Sequence, residues 1–294
     1  MAGLVLGGCR VGPGEQRHSR PPTAARPPEV YSCSAADYPW ARGEPAFEPA
    51  AARFAPPAGF WRVPVARGSW GEWLRHVPLR RPGTPVRGRD GALIVPGDSP
   101  HLAAVVDMDV RPNQECADTI LRLRAEYLWW SGRQGSISFP LTSGGSMSWR
   151  DWKAGMRPRL VRDRLQFAHT AAPDGSRASF ERYLDAVFAW CGTYNLSAPG
   201  TRAVPGDVQV GDYLAHAGSP GHAVLIIDLV QDRAGRLEAL LLQGYMPAQA
   251  AHVLAPSRDG PWFHLDPSRP LDTPFWGEFA WDELCRFDSI QGLG

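Results

Sequence analysis

Nowhere in the 294 residues does an apolar run approach the roughly 20 residues that would span a bilayer as a helix. An excess of charge of one sign is also lacking. The 31 basic residues nearly cancel the 30 acidic ones, so no global field draws the chain onto nucleic acid, and its partners must be argued from sites. Cysteine is scarce. The five cysteines include no Cys-x-x-Cys pair and no regular spacing, so neither a disulfide framework nor a structural zinc site is read from them. The His-Glu-x-x-His, calcium-loop, phosphate-loop and dinucleotide patterns are missing, so no metal and no nucleotide cofactor is expected. A serine nucleophile turn is excluded at Gly144-Gly145-Ser146, because Ser148 stands where Gly-x-Ser-x-Gly requires its last glycine. What is present is 44% hydrophobic residues, enough for one sizeable core, and one domain behind a tail is the expected organisation.

The tail is read in two parts. Leu6-Gly7-Gly8-Cys9 resembles a bacterial lipobox, in which small residues precede a cysteine that is acylated, and residues 1–9 are read as a truncated lipoprotein-type signal. Met1 to Gly8 carries no Lys or Arg and is shorter than an apolar signal core of about 7 to 15 residues with its flanks. The alternative is a chance Gly-Cys in a leader. Residues 10–57 are rich in Pro, Ala, Gly and Arg with few periodic apolar positions, which reads as a disordered linker holding Cys33. A membrane is therefore expected as a partner only through a lipid on Cys9, and the setting would be the cell envelope.

Folding is expected from residue 58 to 294. Phe60 to Val65 alternates like a strand, and Ser69 can cap a short helix of Trp70, Trp73, Leu74 and Val77. His101 to Val110 reads as a strand. The spacing of Ala117, Ile120, Leu121 and Leu128 predicts a helix over 113–130, capped by Asn113, which sets Cys116 in its first turn. A second helix runs from about Ser176, with Phe180, Leu184, Val187, Phe188 and Cys191 on one face and Gly192 as its stop. After that come three strand-like runs, 211–217, 222–230 and 237–245, which predict an antiparallel meander. Helices first and sheet second is an α+β order.

The chemistry centres on Cys116. A cysteine attacks as its thiolate, and a helix start offers partial positive charge and free amide hydrogens, which favour the thiolate and can hold an oxyanion. Asn113 and Gln114 add polar support beside it. An ordinary buried filler thiol is the competing reading, as it is for Cys191. His222 opens a strand directly after the tight turn Gly218-Ser219-Pro220-Gly221, where rigid backbone fixes an imidazole and the turn leaves it accessible as a base. A third group improves such a base by orienting its ring. Counting back from the turn at Asp232 to Arg236, Gln243 falls opposite His222 or one residue away, and the parity of the register decides whether it shares the face. Asp228 lies about 20 Å along the strand from His222 at roughly 3.3 Å per residue, too far to serve.

The segments Gln114-Glu115-Cys116-Ala117-Asp118, Ser219-Pro220-Gly221-His222-Ala223-Val224, Tyr245-Met246-Pro247-Ala248-Gln249 and His252-Val253-Leu254 resemble the bacterial family called domain of unknown function 4846, from about Pro57 to the C-terminus. The Gly211-Asp212 strand, its hairpin and the His222 strand are more distantly similar to the NlpC/P60 and CHAP amidases. That resemblance implies a papain-like fold, with the cysteine helix packed on an antiparallel sheet, and hydrolysis of peptide bonds in peptidoglycan. The chain departs from those enzymes in the long interval between Cys116 and His222 and in the residues around the cysteine.

Twelve tryptophans are a heavy load. Trp149 and Trp152 sit beside a glycine-rich stretch, where aromatic faces can line a groove for a peptide or glycan, with core packing as the alternative. Ser219, Tyr245, Gln249 and His252 are candidates for further walls of that groove. Two functions fit the sequence: a cysteine-dependent peptidase or amidase, and a binding module that presents the same groove without turnover.

Overall fold

The structure, a computed structural model, describes residues 35–40, 48–162, 164–198 and 201–287. Cys9 and Cys33 lie outside them, and so does most of the expected linker. The remainder of that segment is folded. Tyr38, Trp40, Ala50 and Phe54 are all buried, the Tyr38 ring packs at a tilt against Trp40 and Trp73, and helix α1 (Ala50–Arg53) lies within the body. Composition misleads here because two aromatic rings bury enough apolar surface to hold a Pro- and Ala-rich strap without any periodic pattern.

Helix α2 (Trp70–Arg75) starts as its sequence dictates. The Ser69 hydroxyl accepts the Glu72 amide hydrogen at 3.2 Å. Ser69→Ala should therefore cost about 1 kcal/mol. In thermal unfolding that is a fall in Tm of about 2–4 °C, and an unchanged Tm would mean the cap contributes nothing.

The centre is an antiparallel eight-stranded sheet, so the architecture mixes helices with an antiparallel sheet. Its strands are β1 (Phe60–Arg62), β2 (Leu102–Val105), β3 (Tyr213–His216), β4 (His222–Asp232), β5 (Leu237–Gln243), β6 (His252–Leu254), β7 (Phe263–Leu265) and β8 (Leu284–Cys285). The order is β8-β3-β4-β5-β6-β2, with β1 on the far half of β4 and β7 on the near half of β5. Both faces are covered. Ala223, Leu225, Ile227 and Leu242 pack on one side with α3 (Cys116–Trp130), whereas Val224, Ile226, Leu229 and Leu241 pack on the other with Phe279. That is why His222 to Val230 is an unbroken buried run and not an alternating one.

The register of β4 on β5 shifts between Ile226 and Asp228. Asp228 pairs with Leu240, but Ile226 pairs with Leu241 and Leu225 with Leu242. One residue, Ile227, is extra in β4, a β-bulge. The long interval between Cys116 and His222 holds a hairpin over 138–148, α4 (Trp149–Lys153), a second hairpin over 156–169 and α5 (Arg177–Trp190). Ser176 caps α5 by accepting the Ser179 amide hydrogen at 3.2 Å. Its Arg177 reaches across to Glu126 of α3, both guanidinium nitrogens lying 2.5–2.6 Å from the wholly buried carboxylate.

Candidate functional site

Cys116 is the first residue of α3. The expected cap, Asn113, is exposed and takes a left-handed φ of 58°, so it belongs to the turn before the helix, and Glu115 occupies the cap position. Asparagine tolerates that conformation better than most residues, which explains its presence there. The Glu115 amide donates to the Asp118 carboxylate at 3.0 Å. Gln114 is wholly buried and its amide is engaged: the oxygen accepts from Arg122 at 2.6 Å and the nitrogen lies 3.4 Å from the Thr119 hydroxyl. It shores up the helix start and does not stand ready as an oxyanion donor.

The helix start is wedged where β4 and β5 part. The first β4–β5 pair is Leu225 with Leu242, so His222 to Val224 pair only with β3. Gly244 fits this gap because it has no side chain. A Cβ there would lie 2.3 Å from the Thr119 hydroxyl and 2.6 Å from the Glu115 carbonyl. The Cys116 sulfur faces the two residues that flank His222. It lies 3.9 Å from the Gly221 carbonyl, to which the thiol donates, and the Ala117 and Ala223 amide hydrogens are directed at it.

On β4 the imidazole of His222 is held by Gln243, its Nε2 lying 2.8 Å from the Gln243 side-chain oxygen. The bulge makes this contact. In a regular register Ile227 would face Leu241 and Gln243 would come level with Leu225, on the opposite face from His222; the bulge continues the register to bring Gln243 level with Val224, two residues along the strand on the same face. Behind Gln243 stands His252, whose Nε2 is 3.1 Å from the Gln243 amide nitrogen and whose Nδ1 is 3.0 Å from the Ala250 carbonyl.

Aromatic rings cover the imidazole. Tyr245 lies 4.7 Å from it, Trp276 5.2 Å and Phe279 6.0 Å, centroid to centroid. Trp276 and Phe275 come from the turn joining Leu271–Thr273 to Gly277–Phe279, and the Tyr245 hydroxyl ties that turn down through the Phe275 carbonyl at 3.0 Å. Sequence reasoning missed this turn; its signal was two aromatic residues between Pro274 and Gly277, where a tight turn needs none.

Cover and wedge together set the charge state. Burial pushes the Cys116 thiol up to about 11, the Asp118 and Glu115 carboxylates add to that, and the Ala117 and Ala223 amides only partly offset it. The expected gain from the helix start is outweighed. Burial likewise pulls His222 down to about 4, against the hydrogen bond it donates to the Gln243 oxygen, and pulls His252 down to about 4. At neutral pH the site holds a neutral thiol and two neutral imidazoles. Among the described contacts, no hydrogen bond joins the Cys116 sulfur to the His222 ring.

Other expected site residues fall elsewhere. Trp149 and Trp152 are core: Trp149 lies 5.4 Å from Phe180 and 5.6 Å from Trp129, and Trp152 is 5.8 Å from Tyr183. Their helix α4, capped by Ser148, lays both rings on α5, which takes them out of any groove beside the thiol. Gln249 is buried and its backbone bridges to Gly88. His252 is buried behind Gln243, so neither residue forms a wall open to a substrate. Ser219 is exposed in the turn preceding His222, and Tyr245 flanks the imidazole.

A mixed helix and sheet body has a cysteine at a helix start, its sulfur against the main chain on either side of a histidine held by an amide on the neighbouring strand, which defines a candidate thiol–imidazole site on an antiparallel sheet. The chain belongs to the family described as domain of unknown function 4846, whose model matches residues 50–286. No curated protein and no solved structure compared with it matches.

Proposed function

We propose that this protein is a cysteine-dependent hydrolase of papain-like type that acts on peptide amide bonds, with the peptides of peptidoglycan as the substrate class. The observation that carries this is the seating of the Cys116 sulfur between Gly221 and Ala223, the two neighbours of a histidine whose ring Gln243 holds. In the reaction His222 takes the thiol proton as the sulfur bonds to the amide carbonyl carbon. The same proton then passes to the leaving amine as the carbon–nitrogen bond breaks, and water hydrolyses the thioester to return the thiol and a carboxylic acid. Main-chain amides at the start of α3 are the candidate donors to the oxyanion.

A second reading, a binding module without turnover, draws support from a thiol that donates to a carbonyl and from an imidazole that aromatic rings cover. Incubation with purified peptidoglycan and mass analysis of the released fragments separates them. The wild-type protein should release fragments with new amine and carboxyl ends, and Cys116→Ala should slow release by about 10⁴–10⁶-fold. Equal release from both proteins overturns the hydrolase reading, and a wild type that releases nothing while binding the polymer supports the module.

A further inference from the structure

We propose that His252, buried one strand beyond Gln243, is a positioning residue that determines which nitrogen of His222 carries the lone pair; this rests on the hydrolase reading above. The inference starts from a group with no choice. The Ala250 carbonyl can only accept a hydrogen bond, so the His252 Nδ1 lying 3.0 Å from it must carry hydrogen. His252 is 1% exposed, and no carboxylate is among the groups that bear on its titration, so its ring is neutral and its Nε2 has no hydrogen. A bare nitrogen needs a donor. Facing it at 3.1 Å is the side chain of Gln243, which must therefore turn its NH₂ toward His252.

The other end of the amide follows. With its nitrogen toward His252, Gln243 presents its oxygen to His222 at 2.8 Å, and an oxygen acceptor requires hydrogen on the His222 Nε2. In a neutral ring the lone pair then lies on Nδ1, leaving that atom as the base. The geometry is built in by the sheet, because Gln243 and His252 are directly paired residues of adjacent antiparallel strands and so share a face. Without His252 the two ends of the amide are nearly equivalent in shape. A turned amide would offer hydrogen to the His222 Nε2 and move the ring proton to Nδ1, where it blocks proton transfer from sulfur.

The test reads tautomers directly, by long-range nitrogen-15 to proton correlation spectra of the imidazoles at pH 7. In the wild type, His252 should appear protonated on Nδ1 and His222 on Nε2. His252→Phe, which fills the space without an acceptor, should convert a measurable share of His222 to the Nδ1-protonated form. It should also lower kcat between about 10-fold and 10⁴-fold, the upper figure being the cost of a wholly wrong tautomer in a serine triad. His252→Gln, which returns an acceptor facing Gln243, should restore the wild-type His222 pattern. A wild-type His222 protonated on Nδ1 overturns the proposal even if the variants fail to fold. So does a folded His252→Phe protein whose His222 spectrum is unchanged. The spectra need no substrate: if they appear as expected while peptidoglycan is untouched, the hydrolase reading fails and the assignment of the basic nitrogen stands.

Discussion

Asp228→Ala is expected to cost about 3–5 kcal/mol, a large share of the 5–15 kcal/mol that holds a typical domain together. The carboxylate is 1% exposed in the middle of β4 and accepts from Arg75 at 2.6 Å and from Arg62 at 2.8 Å. It also takes the Leu229 amide hydrogen at 2.9 Å. Removal leaves the Arg75 guanidinium, itself 8% exposed, with the Val63 carbonyl as its remaining hydrogen-bond acceptor among the described contacts. An uncompensated buried charge is the costly outcome, more so than the absence of the pair. The loss propagates, because Arg62 also donates to the Ala51 and Phe54 carbonyls and so fastens α1 to the sheet. Urea unfolding would register the change as a lower midpoint with unchanged slope. Asp228→Asn, which keeps the shape and some hydrogen bonding, should fall between the two. A midpoint for Asp228→Ala within about 0.5 kcal/mol of wild type would mean that water reaches Arg75 and that the pair is not a fastening.

Asp228 also marks how far the sequence can be read. Its distance from His222 along a strand was legible, and so was the strand, because strand rise is nearly constant. Its two arginine partners lie 153 and 166 positions away, and no local pattern announces them. The candidate site divides in the same way. Cys116 at a helix start and His222 after a turn of Gly, Ser and Pro are local features, and local chemistry found both. The position of Gln243 depends on a single bulge at Ile227, which counting from the turn cannot reveal because bulged and regular strands have the same apolar composition. Trp149 and Trp152 were drawn into the site by their polar neighbours. Their burial is decided by α5, whose Phe180 and Tyr183 meet them from more than 25 positions away. The helix start at Cys116 was read as a place that favours thiolate; the Ala117 and Ala223 amides act in that direction, but burial, a tertiary property, outweighs them.

That reversal leads to the other large expected effect. The rate at which iodoacetamide labels Cys116 should rise about tenfold per pH unit from pH 7 to near 11, because only the thiolate reacts and burial holds the thiol at about 11. At pH 7 that leaves a thiolate fraction of about 10⁻⁴, some two orders of magnitude below a free cysteine. Labelling is best read on the Cys116 peptide by mass spectrometry, since Cys191 and Cys285 are also buried free thiols. A preformed thiolate–imidazolium pair predicts the contrary, a rate that is flat across neutral pH, and a flat profile from pH 5 to 8 would sink the neutral resting state. His222, pulled down to about 4, is a neutral ring in that range and does not supply the imidazolium of such a pair. Burial is the physical cause of both shifts, and the aromatic cover is part of it at His222, so loosening the cover should weaken them. Tyr245→Phe removes the hydroxyl that ties the aromatic turn through Phe275, and it should raise labelling at pH 7 several-fold and move the rise to lower pH. A substrate that displaces Trp276 would act in the same direction as that substitution. On the proposed hydrolase reading it would bring its own carbonyl to the sulfur, and the proton would pass to the His222 ring without either group having been charged beforehand. On that reading the aromatic turn over His222 must lift for the ring to take the proton, and the comparison of Tyr245→Phe with wild type measures how firmly the turn is held.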